Sequence, residues 1–211
     1  HTGGTLRLRL YLWSDPDELI GRELGRYRLV RPLSRSMTTR VYVGEDTESG
    51  REVAVRILGP THSPAEPRAR QFIFEAQRLA RLRSEHIVEV LDTGTTSDHL
   101  SYYVMDLVPG ETLASALRSE GPMPWFEVAA FANQICDALI LASERGIVHT
   151  DLSASTCMRQ RAEHHDPEGE RRRDLIKLLN VGVTPLASGF RNAEGNWTLS
   201  HGTPVGAAEF M

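Results

Sequence analysis

Two cysteines in 211 residues are too few for a disulfide framework, and neither Cys136 nor Cys157 lies at a metal-ligand spacing. Both sit beside apolar residues, so buried reduced thiols and a reducing, cytoplasmic compartment are expected. A basic excess is lacking too. The net charge of −4 argues against nucleic acid or an anionic membrane as the main partner. The arginines between Arg159 and Arg173 alternate with acids and read as a solvated loop. The longest apolar run, Val128 to Ala142, is interrupted by Asn133, Gln134 and Asp137 and reads as too short to span a bilayer. No secretory signal or internal repeat is visible. His164-His165-Asp166 has no further ligands beside it and reads as an exposed insert, not a metal site. The chain starts at His1, so the expectation is a piece of a longer protein.

What is present is an ordinary globular composition, 40% hydrophobic and 25% charged. Leu6, Leu8, Leu10 and Leu12 alternate with Arg7, Arg9 and Tyr11, the period of a strand, and Ser14-Asp15-Pro16-Asp17 breaks it. Further strands are predicted at 27–30, 40–45, 52–58, 87–92 and 101–105. A helix is predicted over 69–83, with Phe72, Ala76, Leu79 and Leu82 on one face. The second half changes character: helices at 112–119 and 124–145, a loop at 151–156 and a strand at 175–179. Phe126, Ala130, Ile135, Leu139 and Ala142 of the longer helix call for apolar partners, so the segment alone is expected to be unstable or to associate. A sheet with one helix followed by a mainly helical half is an α+β layout with two lobes.

Ordered strings make this layout specific. They run YRLVRPL from Tyr27, VYVGED from Val41, VAVRIL from Val53, FEA from Phe74 and IVEVLD from Ile87. YYVMDLVPGETL from Tyr102, GIVHTDL from Gly146 and IKLLNVG from Ile176 follow. Collinear from about Ile20 to the end, they resemble the bacterial Ser/Thr protein kinase family. The resemblance implies a two-lobed protein-kinase-like fold: an extension with a strand (1–19), a five-stranded antiparallel N-lobe with one helix and a hinge (20–108), and a partial helical C-lobe through the activation segment (109–211).

Kinase chemistry makes three physical demands, and this chain departs from the family at each. A glycine-rich loop lets backbone amides approach phosphates because no side chain intervenes. Here Ser34, Ser36 and Thr39 stand at the glycine positions. A strand lysine should hold the phosphates and pair with a helix glutamate; Arg56 stands there with Glu75 as its expected partner, read as a structural bridge. Mg²⁺ needs hard, charged oxygens. In the loop His149-Thr150-Asp151-Leu152-Ser153-Ala154-Ser155-Thr156, Asp151 matches the catalytic base, Ser153 the lysine and Thr156 the metal-binding asparagine. Asn180-Val181-Gly182 replaces Asp-Phe-Gly, so Thr156 and Asn180 occupy the lost metal-ligand positions and none is assigned as a ligand. Asp151 is then a vestigial base that holds its turn. Thr150 replaces the arginine that reads a phosphorylated activation loop, and Ala207, in Gly206-Ala207-Ala208-Glu209-Phe210-Met211, replaces a loop-supporting threonine.

The apolar end of the pocket is kept. Leu33, Val41, Ala54, Met105, Val108 and Met158 match residues that sandwich adenine in the family, and the hinge backbone from Asp106 to Val108 would bond it. They suit either a nucleotide or plain lobe packing. The resemblance therefore implies a pseudokinase: a regulatory or scaffolding module with an unidentified protein partner, no required cofactor, room for ATP, and weak or absent Mg²⁺ binding. The alternative is an active or weakly active ATP-dependent kinase with a relocated cation, Arg35 or Arg40.

Overall fold

Val53, Val55 and Ile57 alternate with Ala54, Arg56 and Leu58, and β-branched residues at this spacing favour a strand whose two faces both meet protein. The computed structural model describes residues 16–36, 38–59, 66–162 and 174–183, with the backbone of 190–191 and 197–198. The expected leucine-rich strand at 6–12, the loop from 60, the insert around 164–169 and the 206–211 string lie outside the described residues.

The chain forms two compact units, one of residues 1–81 and 89–107, the other of 82–88 and 108–211. In the first, a 3-10 turn at Pro16–Leu19 leads into β1 (Glu23–Leu24), β2 (Tyr27–Arg35), β3 (Thr39–Asp46) and β4 (Glu52–Leu58). Helix α1 (Pro67–Leu79) follows, then β5 (Val90–Thr95) and β6 (Ser101–Asp106). The sheet order is β1-β2-β3-β4-β6-β5, antiparallel throughout.

The sheet has six strands where five were expected. The extra one, β1, pairs Leu24 with Tyr27 across a turn in which Gly25 takes φ 62°, a left-handed conformation suited to glycine. A two-residue strand carries no periodicity to read. Strand β2 also continues past Val30, because bulges at Leu29/Arg31 and Pro32/Ser34 absorb Pro32, which cannot donate a ladder bond.

One face of this sheet carries the main core: Tyr42, Val53, Val55, Ile57, Tyr102 and Val104, joined by Leu19, Leu24, Tyr27, Leu29 and Leu100. Helix α1 packs on β5 and β6, burying Ala69, Phe72, Ala76 and Leu79, and the Phe72 ring lies 5.1 Å from that of Tyr103. The helix is shorter than expected. Arg81 N bonds Arg78 O in an i−3 pattern that tightens its final turn.

In the second unit, Ile87 makes a parallel bridge to Leu178, and Val88 N donates to Leu178 O at 3.1 Å. The expected strand at 87–92 is thus divided: its first residues pair here, while β5 begins only at Val90. The unit continues with β7 (Glu111–Thr112), α2 (Leu113–Glu120), α3 (Trp125–Glu144), β8 (Cys157–Gln160) and β9 (Leu175–Leu178). Strands β7-β8-β9 form a sheet, and β10 (Phe190–Arg191) pairs with β11 (Trp197–Thr198). Thr112 caps α2 by accepting from Ser115 N at 3.1 Å.

Strand β8 escaped sequence reading because Arg159 interrupts its apolar pattern. That guanidinium is buried, bonded through Nη2 to Glu111 Oε1 (3.1 Å) and Glu120 Oε1 (2.7 Å), and Arg161 joins the same two carboxylates. The Arg159 hydrogen bond holds the Glu111 carboxyl below its ordinary range.

Helix α3 is tied to β9 by Gln134, which accepts from Ile176 N (2.7 Å) and donates to Asp174 O (3.0 Å). It buries Phe131, Ala138 and Ala142 but leaves Trp125, Phe126, Val128 and Ile140 exposed. At 20 residues, close to the 124–145 expected, it is, among the described residues, the one helix long and apolar enough to cross a membrane, where the run at 128–142 read as too short. Cys136 lies on its outer side and is exposed, contrary to the burial expected of it; Cys157 is buried as expected.

Two outcomes follow from burial. Phe72→Ala should cost about 3–5 kcal/mol in denaturant unfolding by opening a cavity, whereas Phe74→Ala, two positions on and half-exposed, should stay within about 0.5 kcal/mol. The 211-residue segment should self-associate through α3, and Trp125→Asp with Ile140→Asp should return it to monomer in sedimentation velocity.

Candidate functional site

Strand register sorts the residues of the first unit. Antiparallel partners project to the same face. Val43, Ala54 and Met105 are partners across β3, β4 and β6, as are Val41, Arg56 and Tyr103. Val41, Ala54, Arg56 and Met105 therefore share one face of the sheet. Arg40, Ile57 and Tyr102 form the next row and project to the opposite, core-forming face. Val41, Ala54 and Met105 are buried, and Leu33, beside the second bulge of β2, is exposed. Asp106 closes β6; its N donates to Glu89 O at 3.0 Å and its Oδ1 accepts from Arg51 Nη2 at 2.8 Å.

Arg56 is turned toward protein acceptors. Its Nε donates to Thr39 Oγ1 and its Nη1 to Tyr103 Oη, both at 3.3 Å. Glu75, buried on α1, accepts from Gln71 Nε2 at 2.6 Å. Pairing of Arg56 with Glu75 stays an expectation of the resemblance.

The β2–β3 turn is closed by its own side chains. Ser36 Oγ accepts from the backbone N of Thr39 (3.0 Å) and of Thr38 (3.3 Å), and Ser36 N donates to Thr39 O at 2.8 Å. A serine oxygen bonding to amides two and three residues on is a common local substitute for a backbone turn. Here it uses two of the amides that a phosphate oxygen would otherwise seek.

In the second unit, Val108 and Met158 are half-buried, with Met158 opposite Thr112 and Lys177 in the β7-β8-β9 sheet. The loop from His149 to Thr156 is organised by the Thr156 hydroxyl. It accepts from Ser153 N (2.9 Å) and faces Asp151 O (3.1 Å) and Ser153 O (3.0 Å), to which it donates its single proton. Thr156 is 6% exposed, so these neighbours use most of its hydrogen-bonding capacity.

Asp151 is half-buried, and its backbone N donates to His149 Nδ1 at 3.3 Å. Burial draws the His149 imidazole below its usual pKa, against a backbone hydrogen bond at Leu179 and the charge of Asp151. Thr150 Oγ1 donates to Val183 O at 3.0 Å.

Leu179 N donates to Thr156 O at 2.8 Å, which brings the stretch before Asn180 against the loop. Asn180 then takes φ 60°, a left-handed conformation asparagine tolerates better than most residues, and Val181 is fully buried. Gly182 at φ 68° approaches Ile147 so closely that a Cβ would lie 2.6 Å from its Cγ2.

The donor set does not fit Mg²⁺. Asn180 offers a neutral amide and Thr156 a hydroxyl already engaged, where a dication calls for charged oxygens. Among the described residues, no group of three or more His, Cys, Asp or Glu side chains is placed to hold a metal ion. Tyr103 and Arg51 escaped sequence reading, as did the bond that Thr39 accepts from Arg56. Their signal was positional: Tyr103 is the register partner of Arg56, and Arg51 immediately precedes β4.

This sheet, helix and loop form a two-unit protein, and comparison with known proteins supplies its family. Residues 27–188 match the family described as the protein kinase domain. The chain is 30% identical over 196 residues to the serine/threonine-protein kinase Pkn1 of Myxococcus xanthus, covering 92% of this chain and 26% of that protein. It is 31% identical over 198 residues to the serine/threonine-protein kinase PknD of Mycobacterium tuberculosis, covering 94% of this chain and 27% of that one.

Among solved structures, the Mycobacterium tuberculosis PknI kinase domain superposes with a TM-score of 0.62 at 26% identity, over 81% of this chain and 65% of that one. The chain belongs to the protein kinase domain family, alongside bacterial serine/threonine kinases, and has the two-lobed α+β kinase-like fold. It spans about a quarter of the length of these curated relatives.

Replacing Ser36 with alanine should cost about 1 kcal/mol, because two amides lose their acceptor. Hydrogen exchange should quicken at Thr38 and Thr39 while β4 and β6 stay protected.

Proposed function

We propose that this kinase-family domain is a pseudokinase, a regulatory or scaffolding module that binds a protein partner and takes a nucleotide without a metal. The observation that carries the reading is the Thr156 hydroxyl, spent inside its own loop at 2.9–3.1 Å from three backbone atoms. With Asn180 neutral, a triphosphate–magnesium complex would meet too little negative charge to be held in a reactive pose. Arg56, bonded to Thr39 and Tyr103, acts as a brace between strands, and Asp151 as a vestigial base in its turn.

The family resemblance would assign adenine contacts to Leu33, Val41, Ala54 and Met105 in the first unit and to Val108 and Met158 in the second, with the backbone from Asp106 to Val108, and such contacts need no cation. In this reading residues 1–19 are an extension, 20–108 the N-lobe with its hinge and 109–211 a partial C-lobe. The module works in the cytoplasm, and α3 serves as a packed helix. Within this segment neither nucleic acid nor a membrane is its partner.

Register weighs against a relocated cation at Arg40, which projects to the face opposite Val41, Ala54 and Arg56. Ser36, which closes the hairpin, further separates the loop from a phosphate-cradling role.

On the full-length protein, ATP and ADP should raise the melting temperature equally with Mg²⁺ or with EDTA, by the equivalent of about 2.7 kcal/mol near 100 times Kd. No phosphate should reach a serine or threonine peptide. Thr156→Asn with Asn180→Asp should make the nucleotide shift depend on Mg²⁺. Magnesium-dependent phosphate transfer by the unaltered protein would sink the proposal, and nucleotides without any thermal effect would remove its nucleotide part.

A further inference from the structure

Helix α1 presents two faces of opposite character. Inward lie Ala69, Phe72, Ala76 and Leu79. Outward, at the helical spacing 70, 74, 77, 78 and 81, lie Arg70, Phe74, Gln77, Arg78 and Arg81, the last just beyond the final turn. Phe74 is 54% exposed, and the guanidinium carbon of Arg78 sits 5.8 Å from the centre of its ring.

No acidic side chain interrupts this stripe. Between Glu66 and Arg83 there are five arginines against two glutamates, and one of these, Glu75, is buried beneath the helix. That concentration of positive charge stands on a chain whose net charge is −4. An exposed aromatic ring framed by guanidinium groups is typical of surfaces that bind protein, where arginine and aromatic residues are enriched.

We propose that the outward face of α1 is a docking surface for an acidic, aromatic-bearing segment of a partner protein. The geometry defines the ligand. Arg70 and Arg81 stand about 16 Å apart at about 1.5 Å of helix rise per residue. An extended peptide covers that span in about five residues at roughly 3.3 Å each. Acidic side chains at either end of the segment meet Arg70 and Arg81, while an aromatic or large apolar residue between them packs on Phe74.

Charge complementarity selects the acidic peptide, and Phe74 selects the apolar anchor within it. A long polyanion fits less well, because the basic stripe is confined to this one helix face and the chain as a whole carries a net charge of −4. The inference does not depend on whether the domain transfers phosphate.

The test is fluorescence anisotropy on the full-length protein at about 50 mM salt, where surface electrostatics are least screened. The probe is a labelled nonapeptide of glutamates and aspartates around a central phenylalanine. Binding should saturate below about 1 mM and weaken at least about tenfold in Arg70→Glu with Arg81→Glu. It should weaken about threefold to tenfold in Phe74→Ala, and by a similar factor when the peptide's phenylalanine becomes alanine.

The melting temperatures of these variants should stay near that of the parent, since the substituted side chains are on the surface. Equal affinity in the charge-reversed variant, or no saturation at 1 mM, would overturn the proposal. So would a short DNA duplex or phosphatidylserine vesicles that bind more tightly than the peptide and are lost with the same substitutions. The readout contains no nucleotide, so failure here is distinguishable from failure of the pseudokinase reading.

Discussion

The register between β3, β4 and β6 is the constraint from which most of this structure follows. A slip of one residue in that ladder would exchange its faces. It would carry Arg40 to the side now held by Val41 and Arg56, and would turn Ala54 and Met105 into the packed core of Tyr42, Val55 and Val104. Such a slip would bury Arg56 among aliphatic side chains and strip the core of its β-branched row, both costly. The apolar face thus fixes the frame, and the frame decides which residues stand beside Val41, Ala54 and Arg56 on the other face.

A second theme is that polar groups in the candidate site are satisfied locally. Ser36 closes on Thr38 and Thr39, Thr39 accepts from Arg56, and Thr156 holds Ser153 and Asp151. Each bond is modest by itself, since folding exchanges it for a bond to water. Their combined effect is on availability: a phosphate or a dication would have to displace existing partners before gaining its own. Sites that bind such ligands tightly are usually preorganised with their donors directed outward. Here the same atoms are directed at the chain.

Much of the fold was legible in the sequence because it rests on period. The α1 face of Phe72, Ala76 and Leu79 and the strand from Glu52 to Leu58 follow from spacing alone. What was not legible rests on long-range partners. Strand β8 was hidden because a buried arginine reads as an exposed one until Glu111 and Glu120, 48 and 39 residues away, are brought to it. Strands β1 and β7 are too short to show alternation. In the candidate site, motif order located Arg56, Asp151, Thr156 and Asn180. Their hydrogen-bond partners, such as Tyr103, depend on register and loop closure, which no local pattern reports. Cys136 was misjudged because apolar neighbours in sequence are not neighbours in space on a helix that buries only Phe131, Ala138 and Ala142.

The two sulfurs differ in a way that gives the chain a built-in gauge of its own integrity. Burial lifts the Cys157 thiol to about 11, so almost none of it is thiolate at neutral pH, and the reactive form is also out of reach of reagents. Cys136 stands in the open on α3. In the monomer, where nothing covers the outer face of α3, an alkylating dye therefore counts one site on folded molecules and two on opened ones. The ratio tracks the health of the β8 region from within, without any label being engineered into the protein.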